Sequence, residues 1–150
     1  AQGTVNRIID VFPNSQQDQI RTQLSTSIIA VLSQTLVPTI GGGRAAAHEM
    51  LVVSSAIGNL IRENKTFRIT SAIQTGAKQG MVLMDDSLFK LWRDGKCAKQ
   101  DVLVKAQFPE DLAQRIANAE RGMFDDDADV ARAAKDDRAT PAKANGDAKH

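Results

Sequence analysis

Hydrophobic positions at the start of the chain recur at helical spacing. Val5, Ile8, Ile9 and Phe12 predict a helix over residues 4–12, ended by Pro13. Asn14 and Ser15 then offer a short side-chain oxygen to the unpaired N–H groups of a second helix. That helix is expected over about residues 16–33, on a stripe of Ile20, Leu24, Ile28 and Leu32, with Ser25-Thr26-Ser27 as the place where it could break. Two β segments are expected next, at residues 35–38 and 45–53. Gly41-Gly42-Gly43 lies between them, and glycine's tolerance of positive φ suits a hairpin turn there.

The pattern then returns to helices. Ser54-Ser55 can cap a helix over residues 56–63, buried through Ile57, Leu60 and Ile61. Another is expected over residues 70–79, stopping at Gly80. Asp85-Asp86 are expected to cap a helix over residues 87–93, with Leu88, Leu91 and Trp92 inward and Gly95 just past its end. Two more follow at residues 99–106 and 109–121. Pro109 suits a first helical turn, and Glu110 and Asp111 complement its dipole. From Asp125 onward the chain is Ala, Asp, Lys and Arg with almost no large apolar residue. Such a composition cannot bury enough surface to offset the entropy of ordering. The expected organisation is therefore a domain over residues 1–124 and a disordered polar tail over residues 125–150.

Composition narrows the chemistry. With 150 residues there is room for one modest core. Aromatic residues are only 4%, so that core must rest on Ile, Leu, Val, Ala and Met. The net charge of +1 demands neither nucleic acid nor an anionic membrane as partner. A lone Cys97 can form no internal disulfide and no cysteine-based zinc site. Apolar runs such as residues 28–32 are far too short to span a bilayer, so no membrane insertion is expected.

Each chemical candidate has a plainer explanation. Gly41-Gly42-Gly43-Arg44 is glycine-rich, but a phosphate loop needs GxxxxGKS or GxxxxGKT before a helix, and these glycines precede a strand. His48 and Glu49 are neighbours in a strand and point to opposite faces, which prevents joint action. Asp85 and Asp86 read as a cap, and Asp125-Asp126-Asp127 as a solvated charge run without calcium-loop spacing. Cys97 has only Lys96 and Lys99 nearby to lower its pKa slightly, too little for a nucleophile. No catalytic, cofactor-binding or metal residue can be assigned.

Several segments together carry a resemblance. These are Gln2-Gly3-Thr4-Val5-Asn6-Arg7-Ile8-Ile9-Asp10-Val11-Phe12-Pro13, then Gln16-Gln17 and Ile20-Arg21-Thr22-Gln23-Leu24-Ser25. Leu36-Val37-Pro38 through Ile40-Gly41-Gly42-Gly43-Arg44 follow. Ile73-Gln74-Thr75-Gly76-Ala77-Lys78, Gly80-Met81, Met84-Asp85 and Ser87-Leu88 are similar to a QTGAKxGM…MDxSL run. Between them, Ala56, Ile57, Asn59, Leu60, Ile61, Arg62 and Glu63 match an AIRNLIRE signature, with Gly58 where the signature has Arg. In order, over about residues 1–106, these resemble the C-terminal part of PilT-type type IV pilus retraction ATPases.

The resemblance implies an α/β fold: the C-terminal part of a RecA-like P-loop ATPase core, mostly helical, with a short β hairpin. It implies a cytoplasmic homo-hexamer, peripheral at the inner membrane, that hydrolyses ATP with Mg²⁺. That ring would act on an inner-membrane platform protein of the pilus to drive retraction and twitching motility. The Walker A, Walker B and histidine boxes are expected to precede Ala1, so this stretch alone should neither bind nucleotide well nor hydrolyse it. Its implied role is ring formation and force coupling. The alternative is a non-catalytic interaction module derived from a secretion or pilus ATPase.

Overall fold

A computed structural model describes residues 1–122. The proposed tail, residues 125–150, lies outside the described residues. The chain divides into two compact units, residues 1–113 and 114–150. The first contains α1 (Gln2–Asp10), α2 (Asn14–Ser27), β1 (Ala30–Pro38), β2 (Arg44–Val52), α3 (Ser55–Arg62), α4 (Ile69–Thr75), α5 (Met84–Arg93) and α6 (Lys99–Lys105). Helix α7 (Pro109–Glu120) contains the division between the units, and its later residues are the described part of the second.

The second helix is shorter than its apolar stripe suggests. Ser25 Oγ and Thr26 Oγ1 donate to the Thr22 and Gln23 carbonyls at 2.7 and 2.9 Å, and Ser27 Oγ to Gln23 O at 2.8 Å. Hydroxyls that bond the preceding turn compete with the helical ladder. The next residues, Ile28 and Ile29, are β-branched and favour extended backbone. The helix therefore ends at Ser27 and β1 begins at Ala30, five residues before the expected strand start. Residues along a strand alternate between faces. Leu32, expected on the buried helical stripe, is consequently exposed on β1, while Val31 and Val37 are buried.

β1 and β2 pair antiparallel from Ala30↔Val52 to Pro38↔Arg44. The expected glycine turn joins them, with Gly42 and Gly43 at φ 86° and 92°. Thr39 N donates to Gly43 O at 3.2 Å across it. Met50 and Val82 add an isolated antiparallel bridge at the outer edge of β2.

One apolar core collects Val5 and Ile9 of α1, Val31 and Leu51 of the sheet, Ile57 and Ile61 of α3, and Ile69 and Ile73 of α4. Ile20, Leu24 and Ile28 pack on its margin. The helix expected over residues 70–79 is interrupted. It runs as α4, then a 3-10 turn at Ala77–Gln79, and stops at Gly80 in the left-handed region as foreseen.

Candidate functional site

The signature residues form α3. Ser54 caps it as expected, its Oγ accepting from Ile57 N at 3.4 Å. The far end closes in a left-handed turn. Asn64 has φ 58°, a conformation an asparagine tolerates, and Lys65 N returns to Leu60 O at 2.8 Å.

Helical spacing divides this short element into two sides. Ile57 and Ile61 are buried in the core, with Leu60 half-buried beside them. Ala56, Asn59, Arg62 and Glu63 are exposed. The Arg62 guanidinium is held on two sides, donating to Asn59 Oδ1 at 2.9 Å and to Ser25 Oγ of α2 at 3.4 Å. Glu63 pairs with Lys65 at 2.7 Å. The hydrogen bond and charge of Lys65 hold the Glu63 carboxyl below the usual carboxylate range.

Gly58 is the departure within the signature, and it is buried between α3 and α2. A Cβ there would lie 2.9 Å from the backbone carbonyl oxygen of Ser25. Its missing side chain thus permits a close helix approach, a role the sequence pattern does not reveal. One turn before Ser25 on α2 stands Arg21, only 8% exposed. Its Nη1 is enclosed and has no hydrogen-bond partner among the described residues. Sequence reasoning gave Arg21 no role, although its place between Ile20 and Leu24, both on the apolar stripe, was a signal that it would be carried inward.

Elsewhere the structure separates the other candidates. Asp85 and Asp86 lie in the first turn of α5, which begins at Met84, so neither is its N-cap. Asp85 instead reaches forward to the segment before α7. Its two oxygens accept from Gln107 N and Phe108 N, each at 2.8 Å. His48 and Glu49 do point apart: His48 is exposed, and Glu49 is 2% exposed. Glu49 meets the Ala1 amine, and Gln107 Nε2 donates to it at 3.3 Å. Gln107, a second residue the sequence did not flag, joins both buried carboxylates. Cys97 is buried, and loss of solvation pushes its thiol up, with Asp101 adding to the rise and Lys96 opposing it. The lowering expected from nearby lysines is overcome.

Among the described residues no group of three or more His, Cys, Asp or Glu side chains could hold a metal. No described helix is long and apolar enough to cross a membrane.

No family model matches the chain. It is 44% identical over 109 residues to the type IV pilus retraction ATPase PilT of Pseudomonas aeruginosa, an alignment covering 73% of this chain and 32% of that protein. It is 46% identical over 111 residues to a twitching motility protein of Neisseria gonorrhoeae, covering 73% and 30%. The chain thus spans about a third of the length of these relatives. The solved structure of the pilus retraction motor PilT with bound ADP superimposes with a TM-score of 0.67 at 38% identity, over 76% of this chain and 32% of that one. The ATPase DotB of Legionella pneumophila shares the fold at 21% identity, with a TM-score of 0.57 over 69% of this chain and 28% of that one.

Proposed function

We propose that this chain, a relative of part of the PilT-type type IV pilus retraction ATPases, supplies the ring-forming and force-coupling segment of such a motor. In this reading the whole motor is a cytoplasmic homo-hexamer at the inner membrane. It takes ATP and Mg²⁺ through residues outside this stretch and moves a platform protein of the pilus. Phosphoryl transfer requires a lysine-bearing phosphate loop and a carboxylate-held metal. Residues 1–150 contain no GxxxxGKS or GxxxxGKT sequence, so the part assigned here is output.

The observation that carries the reading is the two-sidedness of α3. Its apolar side is committed to the core, while Asn59, Arg62 and Glu63 of the signature face outward. A polar face chosen only for solubility would tolerate any polar residue. Here Arg62 is instead held by Asn59 and Ser25 in a set direction.

The test uses the full-length motor with Arg62→Ala and Glu63→Ala together. Exposed substitutions of this kind shift stability by less than about 0.5 kcal/mol. Melting temperature and ATPase rate should stay near wild type while twitching motility is lost. Normal twitching at normal expression would remove α3 from the mechanism.

A further inference from the structure

We propose that the end of α3 and the turn after it form one docking surface for an acidic segment of a partner protein, with Phe67 as apolar anchor and Arg62, Lys65 and Arg68 as its charges. The inference deepens the reading of α3 as the output face, on which it rests, by naming the kind of partner that face takes.

The argument begins with how the chain leaves α3. It passes through the left-handed turn at Asn64 and enters a 3-10 turn, Thr66–Arg68. Backbone bonds close this stretch. Lys65 N donates to Leu60 O at 2.8 Å, and Arg68 N to Lys65 O at 3.0 Å. Thr66 and Ile69 are buried and fix which way the turn faces. Phe67, between them, is 67% exposed. A single exposed apolar side chain is ordinary. This one differs in its company, because Arg62, Glu63, Lys65 and Arg68 are exposed with it.

Three cations share this surface with one carboxylate. The hydrogen bond and charge of Lys65 act most strongly on Glu63, and the charges of Arg62 and Arg68 also reach it, so the four groups lie near one another. Glu63 closes on Lys65 at 2.7 Å. The described partners of Arg62 are the neutral Asn59 and Ser25, and Arg68 forms no ion pair with a described residue. Two guanidinium groups thus stand near an exposed aromatic ring without a described carboxylate. Arginine and aromatic side chains are enriched among the residues that dominate binding at protein interfaces. The closed turn, and the hold of Asn59 and Ser25 on Arg62, lower the ordering cost of binding.

The charge balance selects the partner. A segment with carboxylates beside an apolar side chain answers Arg62 and Arg68 and covers Phe67 at once. An anionic membrane fits less well. Polybasic lipid sites carry about four to eight cations, and here Glu63 offsets one of three.

The probe is the peptide Glu-Asp-Leu-Phe-Asp-Glu, titrated into the isotope-labelled 150-residue protein and followed by backbone amide NMR. Shifts should concentrate in residues 62–68, saturate, and weaken as salt is added. The neutral peptide Gln-Asn-Leu-Phe-Asn-Gln and the apolar-free peptide Glu-Asp-Ser-Ser-Asp-Glu should both bind more weakly. Phe67→Ser should weaken binding of the first peptide by about tenfold, and Arg68→Gln by about threefold. Both positions are exposed, so the fold persists in each variant. Lys78→Gln removes an exposed charge from a different 3-10 turn and should change nothing.

Each of three results would overturn the proposal. One is equal binding of either control peptide. Another is a set of shifts centred outside residues 62–68, or an unchanged affinity in Phe67→Ser. The third is a stronger response to vesicles of equal parts phosphatidylserine and phosphatidylcholine than to the acidic peptide, which would make this a membrane-binding surface. None of these measurements involves motility. Failure of the acidic peptide, with twitching still dependent on Arg62 and Glu63, would sink the acidic partner and spare the output face. Binding at residues 62–68, with twitching indifferent to Arg62 and Glu63, would keep the docking surface and remove α3 from the output.

Discussion

Among the described residues, two places bury charge, and they do so in opposite ways. Where α5 meets the segment before α7, Asp85 is completed by two backbone N–H groups, and Gln107 extends the same network to Glu49. On α2, Arg21 is buried to a similar degree, and its Nη1 has no partner among the described residues. Burial alone does not separate structural from functional charge. The carboxylate spends its hydrogen-bonding capacity inside the fold and belongs to stability, whereas Nη1 of the guanidinium has no acceptor among the described residues.

The contrast breaks most readily at Asp85. Asp85→Ala strands two backbone donors, and the expected loss is about 2–3 kcal/mol. Urea denaturation of wild type and variant measures it. A loss under about 0.5 kcal/mol, the range of ordinary surface changes, would mean that water replaces the carboxylate and that the network is dispensable.

Gly58→Ala tests how closely the seam of α2 and α3 is packed. Overpacking costs about 1–3 kcal/mol, and better helix propensity returns about 1 kcal/mol. The net expectation is a loss of up to about 2 kcal/mol against the Ser25 carbonyl. A stabilised variant would show that α2 yields easily.

Arg21→Met sharpens the comparison by inverting the sign. Removing an uncompleted charge while keeping apolar volume should leave stability within about 0.5 kcal/mol of wild type or raise it. A melt lowered as far as that of Asp85→Ala would make the two buried charges alike.

The smallest effect belongs to Glu63, which is exposed. Its lowered carboxyl pKa adds stability that is present above the usual carboxylate range and is lost as pH falls through the lowered value. Glu63→Gln should barely move the melt at neutral pH, and even that difference should vanish in acid. A large shift at neutral pH would show that the pair with Lys65 holds the end of α3.

The sequence made α3 legible because three independent signals agreed: the Ser54 cap, the spacing of Ile57 and Ile61, and the signature itself. The glycine turn was equally legible, since a positive φ at Gly42 and Gly43 leaves few alternatives. The end of α2 was legible only as a possible break at Ser25-Thr26-Ser27, because Ile28 and Leu32 fit a helical stripe as well as a strand. The hydroxyl bonds of Ser25, Thr26 and Ser27 decided the matter. Asp85 was misplaced for a different reason. Local reading assigns a carboxylate to the nearest helix start, and its true partners lie 22 and 23 residues onward. Gln107 matters through tertiary neighbours that no spacing rule encodes, whereas the place of Arg21 beside the stripe signalled its burial but not the lack of a partner for Nη1.

That reach of Asp85 has a consequence for the order in which the chain assembles. The hairpin closes through a few residues and can form early, since short loops cost little entropy to close. The amides of Gln107 and Phe108 depend on a carboxylate set in α5, and Gln107 also reaches Glu49, 58 residues back. They can gain protection only once the distant parts of the first unit have come together. In a refolding experiment followed by hydrogen exchange, these two amides should become slow-exchanging after those of the hairpin, which makes them natural clocks for the last stage of assembly.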